Sequence, residues 1–301
     1  MRSSAASDVY KRQVEGGRVL SSALHTAENM LVPACLAVYL GASGGRTAAL
    51  EQYGTLKGMA LPLLNFPFGL LGSLAVLLMP EITQAHIEGQ TARLNALLDR
   101  MLRLTGYFSM LAGTLFWVWG RPLAQLLYHS PEAGFYLETL APAMPLMYLE
   151  SMVDGAMKGI GEQKAAFRYS VWDAVLRIGG VAVLLPRYGM RGFLTVILLS
   201  SFYTCAANTG RLLLSSGTGH AFRRWLGAPL LAAAAAGAAG RGVRRVLTGF
   251  PAQGLWEQLA VLTAGGTVTA IVFLLAALPR GLWEELRAVL RQAKTGKNRG
   301  K

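Results

Sequence analysis

Charged and amide side chains fall inside long apolar stretches of this 301-residue chain, and those residues are the first candidates for chemistry. An ionised group at the centre of a membrane costs about 2.5–3.5 kcal/mol on insertion scales, so it needs an ion-pair partner or a water-filled cavity. Each candidate therefore has both a binding and a structural interpretation. The candidates in charged or amide form are Glu28, Asn29, Asp154, Asp173 and Arg177.

His25, Glu28 and Asn29 are spaced so that they share one face of a helix. In the first interpretation this face lines a cavity and meets a polar head group or a coupling ion. In the second, Glu28 forms a hydrogen bond across a helix interface. Both keep the carboxylate away from hydrocarbon, so the sequence does not choose between them.

Glu150, Asp154 and Lys158 are spaced by four residues each, an acidic-to-basic stripe along one helix face. Asp173 likewise precedes Arg177 by four positions. This spacing favours an ion pair within one helix. Alternatively, Asp154 lines the cavity while the long Lys158 side chain extends to the membrane surface. For Asp173 and Arg177 the alternative to an ion pair is that Arg177 faces the cavity and binds a diphosphate, because a planar guanidinium forms bidentate contacts with phosphate oxygens.

Asn65 lies between Pro62 and Pro67 within one apolar segment. Proline removes a backbone donor and frees carbonyl groups, which permits a bend. The bend is either a hinge at the cavity, with Asn65 among the binding residues, or a packing kink.

Composition predicts the elements that hold these residues. Hydrophobic residues make up 53% of the chain and charged residues 15%, against about 25% charged in an ordinary soluble domain. Because backbone groups in lipid must be hydrogen-bonded internally, we predict an all-α integral membrane protein with about eight transmembrane helices. The predicted spans are 23–41, 55–79, 104–120, 135–157, 165–185, 192–214, 225–241 and 255–278.

Lys and Arg in the connecting segments predict the orientation. Residues 81–103 have the pattern of an amphipathic helix along the membrane surface, after Pro80 ends the preceding span. This side holds about twice as many Lys and Arg as the other once the tail is included, so both chain ends are predicted to be cytoplasmic. Residues 281–301 are predicted to form an amphipathic, polybasic tail on anionic lipid. The net charge of +13 thus reflects membrane topology rather than nucleic-acid binding.

The first thirteen residues have a different origin in our interpretation. Residues 3–13 spell SSAASDVYKRQ, which matches an in-frame translation of a transposase-type sequencing adapter at every position. We therefore expect 1–13 to be an artefact and the native chain to continue upstream of Val14. A native stop and start codon at this point in the locus would refute this expectation.

Two motifs carry a resemblance to a known family. They are LHTAENMLVP at 24–33 and YGTLKGMALPLLNFPFGLLGSLAVLLMPEITQA at 53–85, followed in order by LAPAMPLMYLESMVDGAMKGIGEQ at 140–163. The chain resembles the stage V sporulation protein B branch of the polysaccharide-exporter flippases. That superfamily also holds the MATE drug exporters and the lipid II flippases. The resemblance covers roughly 14–214 well.

The resemblance implies the second lobe of a two-lobed MATE-like flippase fold, working by alternating access. Residues 14–220 would form a six-helix lobe and 221–280 two additional transmembrane helices, with a first lobe of the same chain missing. The implied function is translocation of a lipid-linked oligosaccharide or peptidoglycan precursor across the bacterial cytoplasmic membrane, in cell-wall biogenesis or sporulation.

The sequence gives less support to other classes of function than to a flippase. The chain contains no P-loop, HExxH motif or nucleophile elbow, so we expect no enzyme activity, no cofactor and no metal. A MATE-type cation-coupled drug exporter is the alternative. A membrane saccharide polymerase or ligase is less favoured, because no predicted exterior loop exceeds about fifteen residues.

Overall fold

The computed structural model describes residues 2–41, 45–217, 223–247 and 254–278. Within these ranges the chain is helical apart from short turns. The predicted polybasic tail 281–301 and the predicted domain boundary at 220 lie outside the described residues. The predicted adapter segment falls within the first helix from Arg2 onward, and a helical backbone says nothing about its origin.

Within the described ranges the chain forms ten α-helices, with two short π-helical turns and one 3-10 turn between them in the sequence. The π-helical turns are Leu56–Ala60 and Arg223–Gly227, and the 3-10 turn is Ala141–Ala143. The helices are α1 (Arg2–Leu40), α2 (Gly45–Thr55), α3 (Leu61–Asn65), α4 (Phe68–Ile87), α5 (Thr91–Tyr128), α6 (Pro131–Leu140), α7 (Met144–Gly159), α8 (Gln163–Ser216), α9 (Ala228–Leu247) and α10 (Leu255–Ala277).

Four helical segments are long and apolar enough to cross a membrane: Phe68–Ile87, Gln163–Ser216, Trp225–Leu247 and Leu255–Ala277. The described part of the chain is thus an all-helical membrane protein, as predicted from composition. The total of eight spans stays a prediction.

Helix α8 is a hairpin of two antiparallel halves. Gly189 has φ +57° and ψ −143°, which breaks the helix between them. Gly180 packs against Val196, and contacts farther from the turn join residues of the two halves in the same antiparallel order. Each half exceeds the roughly 20 residues that cross a bilayer. The predicted spans 165–185 and 192–214 lie one on each half.

The prediction of a separate surface helix over 81–103 is wrong. Pro80 lies inside α4, which continues to Ile87 because Ile82 is fully buried and anchors its last turns. Gly89, at φ +67°, makes the turn instead. Helix α5 then runs without interruption through the predicted span 104–120. The apolar stripe of its first turns is buried in the protein core, at Leu94, Leu98, Met101 and Leu102.

Helices α9 and α10 pack on α5 through small residues. A Cβ at Gly106 would lie 2.1 Å from the carbonyl oxygen of Trp225, and one at Gly265 would lie 2.1 Å from the ring of Trp119. Such close approach is typical of helix packing in membranes, where small residues let backbones meet. A second, smaller apolar cluster results, built from Tyr107, Ala232, Ala236, Phe273 and Ala277.

The helix is interrupted where the sequence predicts a bend, beside Asn65, while Phe66 and Pro67 keep helical φ and ψ angles. Helix α3 ends at Asn65, and α4 begins at Phe68 after a turn containing Pro67, which has no N–H to donate. The carbonyl of Leu64 accepts a hydrogen bond from the Tyr148 hydroxyl at 2.5 Å. The interruption is therefore stabilised by a side chain of α7.

Candidate functional site

The centre of the candidate site is an ion pair between α1 and α8. Glu28 is 4% exposed, and its Oε1 accepts a hydrogen bond from Arg177 Nη2 at 2.5 Å. Arg177 keeps a 24% exposed side chain, and its buried Nε has no hydrogen-bond partner in the structure as described. The structure thus places Glu28 in an interhelical contact, which is the second of its two interpretations, with Arg177 as the partner.

Asp173 has a different partner from the one its spacing suggested. Its Oδ1 accepts a hydrogen bond from the Ser200 hydroxyl at 2.5 Å, across the α8 hairpin. The predicted pair between Asp173 and Arg177 is wrong, because each side chain finds a partner on another helical segment. The two remain close enough to interact electrostatically. Together these contacts tie α1 to the first half of α8 and the first half to the second.

Asp154 and Lys158 form the predicted pair within α7. Their side chains meet at 2.5 Å and are 32% and 59% exposed. Lys158 therefore neutralises Asp154 at the end of α7 that leads to the α7–α8 turn. An exposed pair of this kind adds little to stability, about 0.3–0.5 kcal/mol.

Glu150 joins the site from α7, one turn before Asp154. It lies beside the Thr204 hydroxyl and interacts electrostatically with Asp173 and Arg177. Its four-residue spacing from Asp154 was the available sequence signal. Thr204 and Ser200 gave none, because isolated hydroxyls are common on apolar helices.

Asn29 lies beside Glu28, whereas Asn65 lies apart from the residues described above. Asn29 is exposed on α1 and accepts a hydrogen bond from the Tyr53 hydroxyl at 2.8 Å. His25 Nδ1 lies 4.0 Å from the other carboxylate oxygen of Glu28. Asn65 is exposed at the α3–α4 interruption, and no described contact joins it to the cluster.

We define the central cluster as Glu28, Glu150, Asp173 and Arg177. It holds three carboxyl groups and one guanidinium, so acids outnumber bases when all are ionised. Among the described residues, no three metal-ligating side chains converge on one point. With Ser200 and Thr204 as partners, the cluster can hold α1, α7 and the two halves of α8 together. It can also exchange ion-pair partners with a polar ligand that reaches Arg177.

Apolar helices that meet around a shielded polar cluster define a multi-helix membrane protein. No family model matches the chain. It is similar to sporulation protein YkvU of Bacillus subtilis (strain 168), with 29% identity over 201 residues, which is 67% of this chain and 43% of that protein. It is also similar to stage V sporulation protein B of the same strain, with 25% identity over 172 residues, 57% of this chain and 33% of that protein.

These similarities support the resemblance to the stage V sporulation protein B family that the motifs indicated. The matched stretches span less than half the length of either relative.

Proposed function

We propose that the chain contributes the cluster-bearing lobe of a membrane flippase, which translocates a lipid-linked saccharide by alternating access. One observation carries the proposal: polar contacts inside an apolar bundle link α1 to the first half of α8, through Glu28 and Arg177, and link the two halves of α8, through Asp173 and Ser200. Ionisable groups at such positions mark substrate or ion pathways in membrane proteins.

Exposed polar residues, two of them beside Glu28 on α1, support a path for a polar group. His25 and Asn29 are exposed on α1, and Asn65 is exposed at the α3–α4 interruption. Hydrocarbon cannot satisfy such groups, so their face meets water or another protein surface. A second helical lobe across a water-filled cavity supplies that environment.

Arg177 is the proposed contact for the cargo. A lipid-linked saccharide carries a diphosphate, and the Arg177 side chain stays 24% exposed while its Nη2 binds Glu28. The carboxylates of Glu28, Glu150 and Asp173 repel an anion that approaches Arg177. In the proposed cycle the diphosphate displaces Glu28 from Arg177, and Glu28 returns when the cargo leaves. The cargo would be an oligosaccharide or peptidoglycan precursor in the bacterial cytoplasmic membrane.

The test is translocation of lipid-linked saccharide in a flippase-depleted bacterial strain that carries the complete reading frame from the native locus. We expect Arg177→Ala and Glu28→Ala to abolish rescue. Arg211→Ala is the matched control, because it removes an arginine of the same helix that pairs with Glu162 away from the cluster. Normal rescue by both cluster variants would refute the site.

A MATE-type cation-coupled exporter is the second candidate, and the surplus of carboxyl groups in the central cluster favours it. Such a protein would export cationic dyes, and its export would depend on Glu150 and Asp173. The proposed flippase would leave dye accumulation unchanged. Dye accumulation in cells that express the same reading frame therefore separates the two functions.

A further inference from the structure

The outer face of the first half of α8 changes from basic to aromatic to aliphatic along the helix. Lys164 and Arg168 are exposed one turn apart, and Trp172 follows after one more turn with 61% of its surface exposed. Phe167 lies beside them and is 37% exposed. The face continues with exposed Val175, Leu176 and Val183.

The described acids near these cations already have basic partners. Glu162 accepts two hydrogen bonds from Arg211, at 3.1 and 2.9 Å, and a third from the Ser215 hydroxyl. Asp154 is paired with Lys158. Arg168 interacts electrostatically with Glu162, but neither Lys164 nor Arg168 forms a hydrogen bond or a close ion pair with a described residue. Two positive charges are thus left on an exposed face at one end of a membrane helix.

The spacing of these side chains matches the layers of a lipid leaflet. A helix rises 1.5 Å per residue, so Trp172 lies about 6 Å beyond Arg168 and about 12 Å beyond Lys164 along the axis. The headgroup layer on each side of a bilayer is about 5–8 Å deep. With Trp172 at the boundary of the hydrocarbon, where aromatic residues concentrate, Arg168 lies at the level of the lipid phosphates. Lys164 begins just outside this layer, and its long flexible side chain can reach the phosphates from there.

We propose that Lys164, Arg168 and Trp172 form a binding site for an anionic phospholipid, with the two cations on its headgroup and Trp172 against its acyl chains. The site faces away from the central cluster, since Asp173 and Arg177 lie on the opposite, packed face of the same helix. It therefore recognises bilayer lipid rather than cargo, and it anchors the α8 hairpin in the membrane. The proposal does not depend on the flippase function.

The experiment measures lipid binding to the purified 301-residue chain in detergent by native mass spectrometry, with phosphatidylglycerol and phosphatidylcholine as probes. Lys and Arg near a membrane surface each contribute about 1 kcal/mol of attraction to anionic lipid, so Lys164→Gln/Arg168→Gln should lower the phosphatidylglycerol affinity about tenfold or more. Phosphatidylcholine, which has no net charge, should bind both proteins equally.

The matched control is Arg187→Gln/Arg191→Gln, which removes two exposed arginines with the same spacing from the other end of the α8 hairpin. It should keep wild-type affinity for phosphatidylglycerol. Trp172→Ala should weaken long-chain phosphatidylglycerol but leave the dihexanoyl form unaffected, and thermal unfolding of each variant should match the wild type. Unchanged affinity in the Lys164/Arg168 variant, or an equal loss in the control, would overturn the proposal.

Discussion

At the residue scale, the Glu28–Arg177 pair couples stability to function, because removing one partner strands the other charge inside the bundle. Loss of one member of a buried ion pair costs about 3–5 kcal/mol, whereas neutralising both is far less costly. We expect Arg177→Ala to be strongly destabilised and Glu28→Gln/Arg177→Gln to recover most of the loss. Denaturant unfolding in detergent provides the measurement. A double variant less stable than Arg177→Ala would contradict this account.

Glu162, outside the spans, gives the α7–α8 junction a dependence on pH. The hydrogen bond from Ser215 and the pairing with Arg211 hold the pKa of this carboxyl below its ordinary value of 4.5. A carboxyl with a lowered pKa in the folded state contributes stability that is complete above the unfolded pKa and is lost as pH falls through the folded pKa. We expect the Tm of the wild type to fall as pH drops below 4.5.

Glu162→Gln removes the titrating group, so its Tm should vary less over the same acidic range. Glu51→Gln serves as the control, since Glu51 is an exposed carboxyl on α2. It should retain the wild-type pH dependence. The same acid sensitivity in Glu162→Gln as in the wild type would show that this junction does not carry the effect.

The sequence singled out Glu28 and Arg177 because ionised residues are rare at membrane depth. It did not identify their pairing, since the partners are 149 positions apart and only the packing of α1 on α8 joins them. The local rule that pairs residues four apart succeeded for exposed Asp154 and Lys158. It failed for Asp173, where Ser200 on the facing segment supplies a donor.

At the scale of elements, α10 lies against α5 where Gly265 meets the ring of Trp119. A Cβ at Gly265 would overlap this ring at 2.1 Å, whereas one at the neighbouring Gly266 meets no atom within 4 Å. We expect Gly265→Ala to destabilise the protein by about 1–3 kcal/mol through overpacking. Gly266→Ala should be neutral or slightly stabilising, because Ala favours a helix over Gly by up to about 1 kcal/mol.

Thermal unfolding of both alanine variants in the same detergent checks this prediction. Equal Tm values for Gly265→Ala and Gly266→Ala would mean that α10 does not pack on α5 through this contact.

The interruption between α3 and α4 depends on Tyr148. Its hydroxyl is the donor to the Leu64 carbonyl, which lies next to the break that Pro67 introduces. Tyr148→Phe leaves a buried acceptor without its partner and should cost about 1–3 kcal/mol. Tyr128→Phe is the control, since no hydrogen bond of the Tyr128 hydroxyl occurs among the described residues. A stability loss of the same size in both variants would argue against the Leu64 contact.

Apolar segment length predicted that the apolar stretches are helical, but it did not locate the helix ends. The predicted spans 55–79 and 135–157 are each divided into shorter elements. The amphipathic pattern at 81–103 correctly predicted an apolar stripe. The prediction that this stripe lies on a membrane surface was wrong. Amphipathicity reports only that one face is buried, and here the burying surface is protein. The prediction that Pro80 ends the helix failed for a related reason, because packing around Ile82 keeps α4 helical beyond Pro80.

At the scale of the whole molecule, the α8 hairpin combines the central cluster, the proposed lipid site and the turn that folds it. It bears Arg177 and Asp173 on its packed side, Lys164 and Arg168 on its outer side, and Gly189 at its turn. The family resemblance came from sequence motifs, and the similarity to two sporulation proteins supports it. The opposition of a packed polar side and an exposed outer side on one hairpin required the structure, since it depends on which face packs on α1 and α7.

The most direct test of the flippase proposal is translocation in reconstituted vesicles. The protein encoded by the complete native reading frame is incorporated into vesicles with a fluorescent lipid-linked saccharide, and a membrane-impermeant quencher reports how much remains on the outer surface. We predict movement of the lipid by the wild type and by Arg211→Ala, and none by Arg177→Ala. No movement by the wild type, or equal movement by Arg177→Ala, would contradict the proposed role of the central cluster.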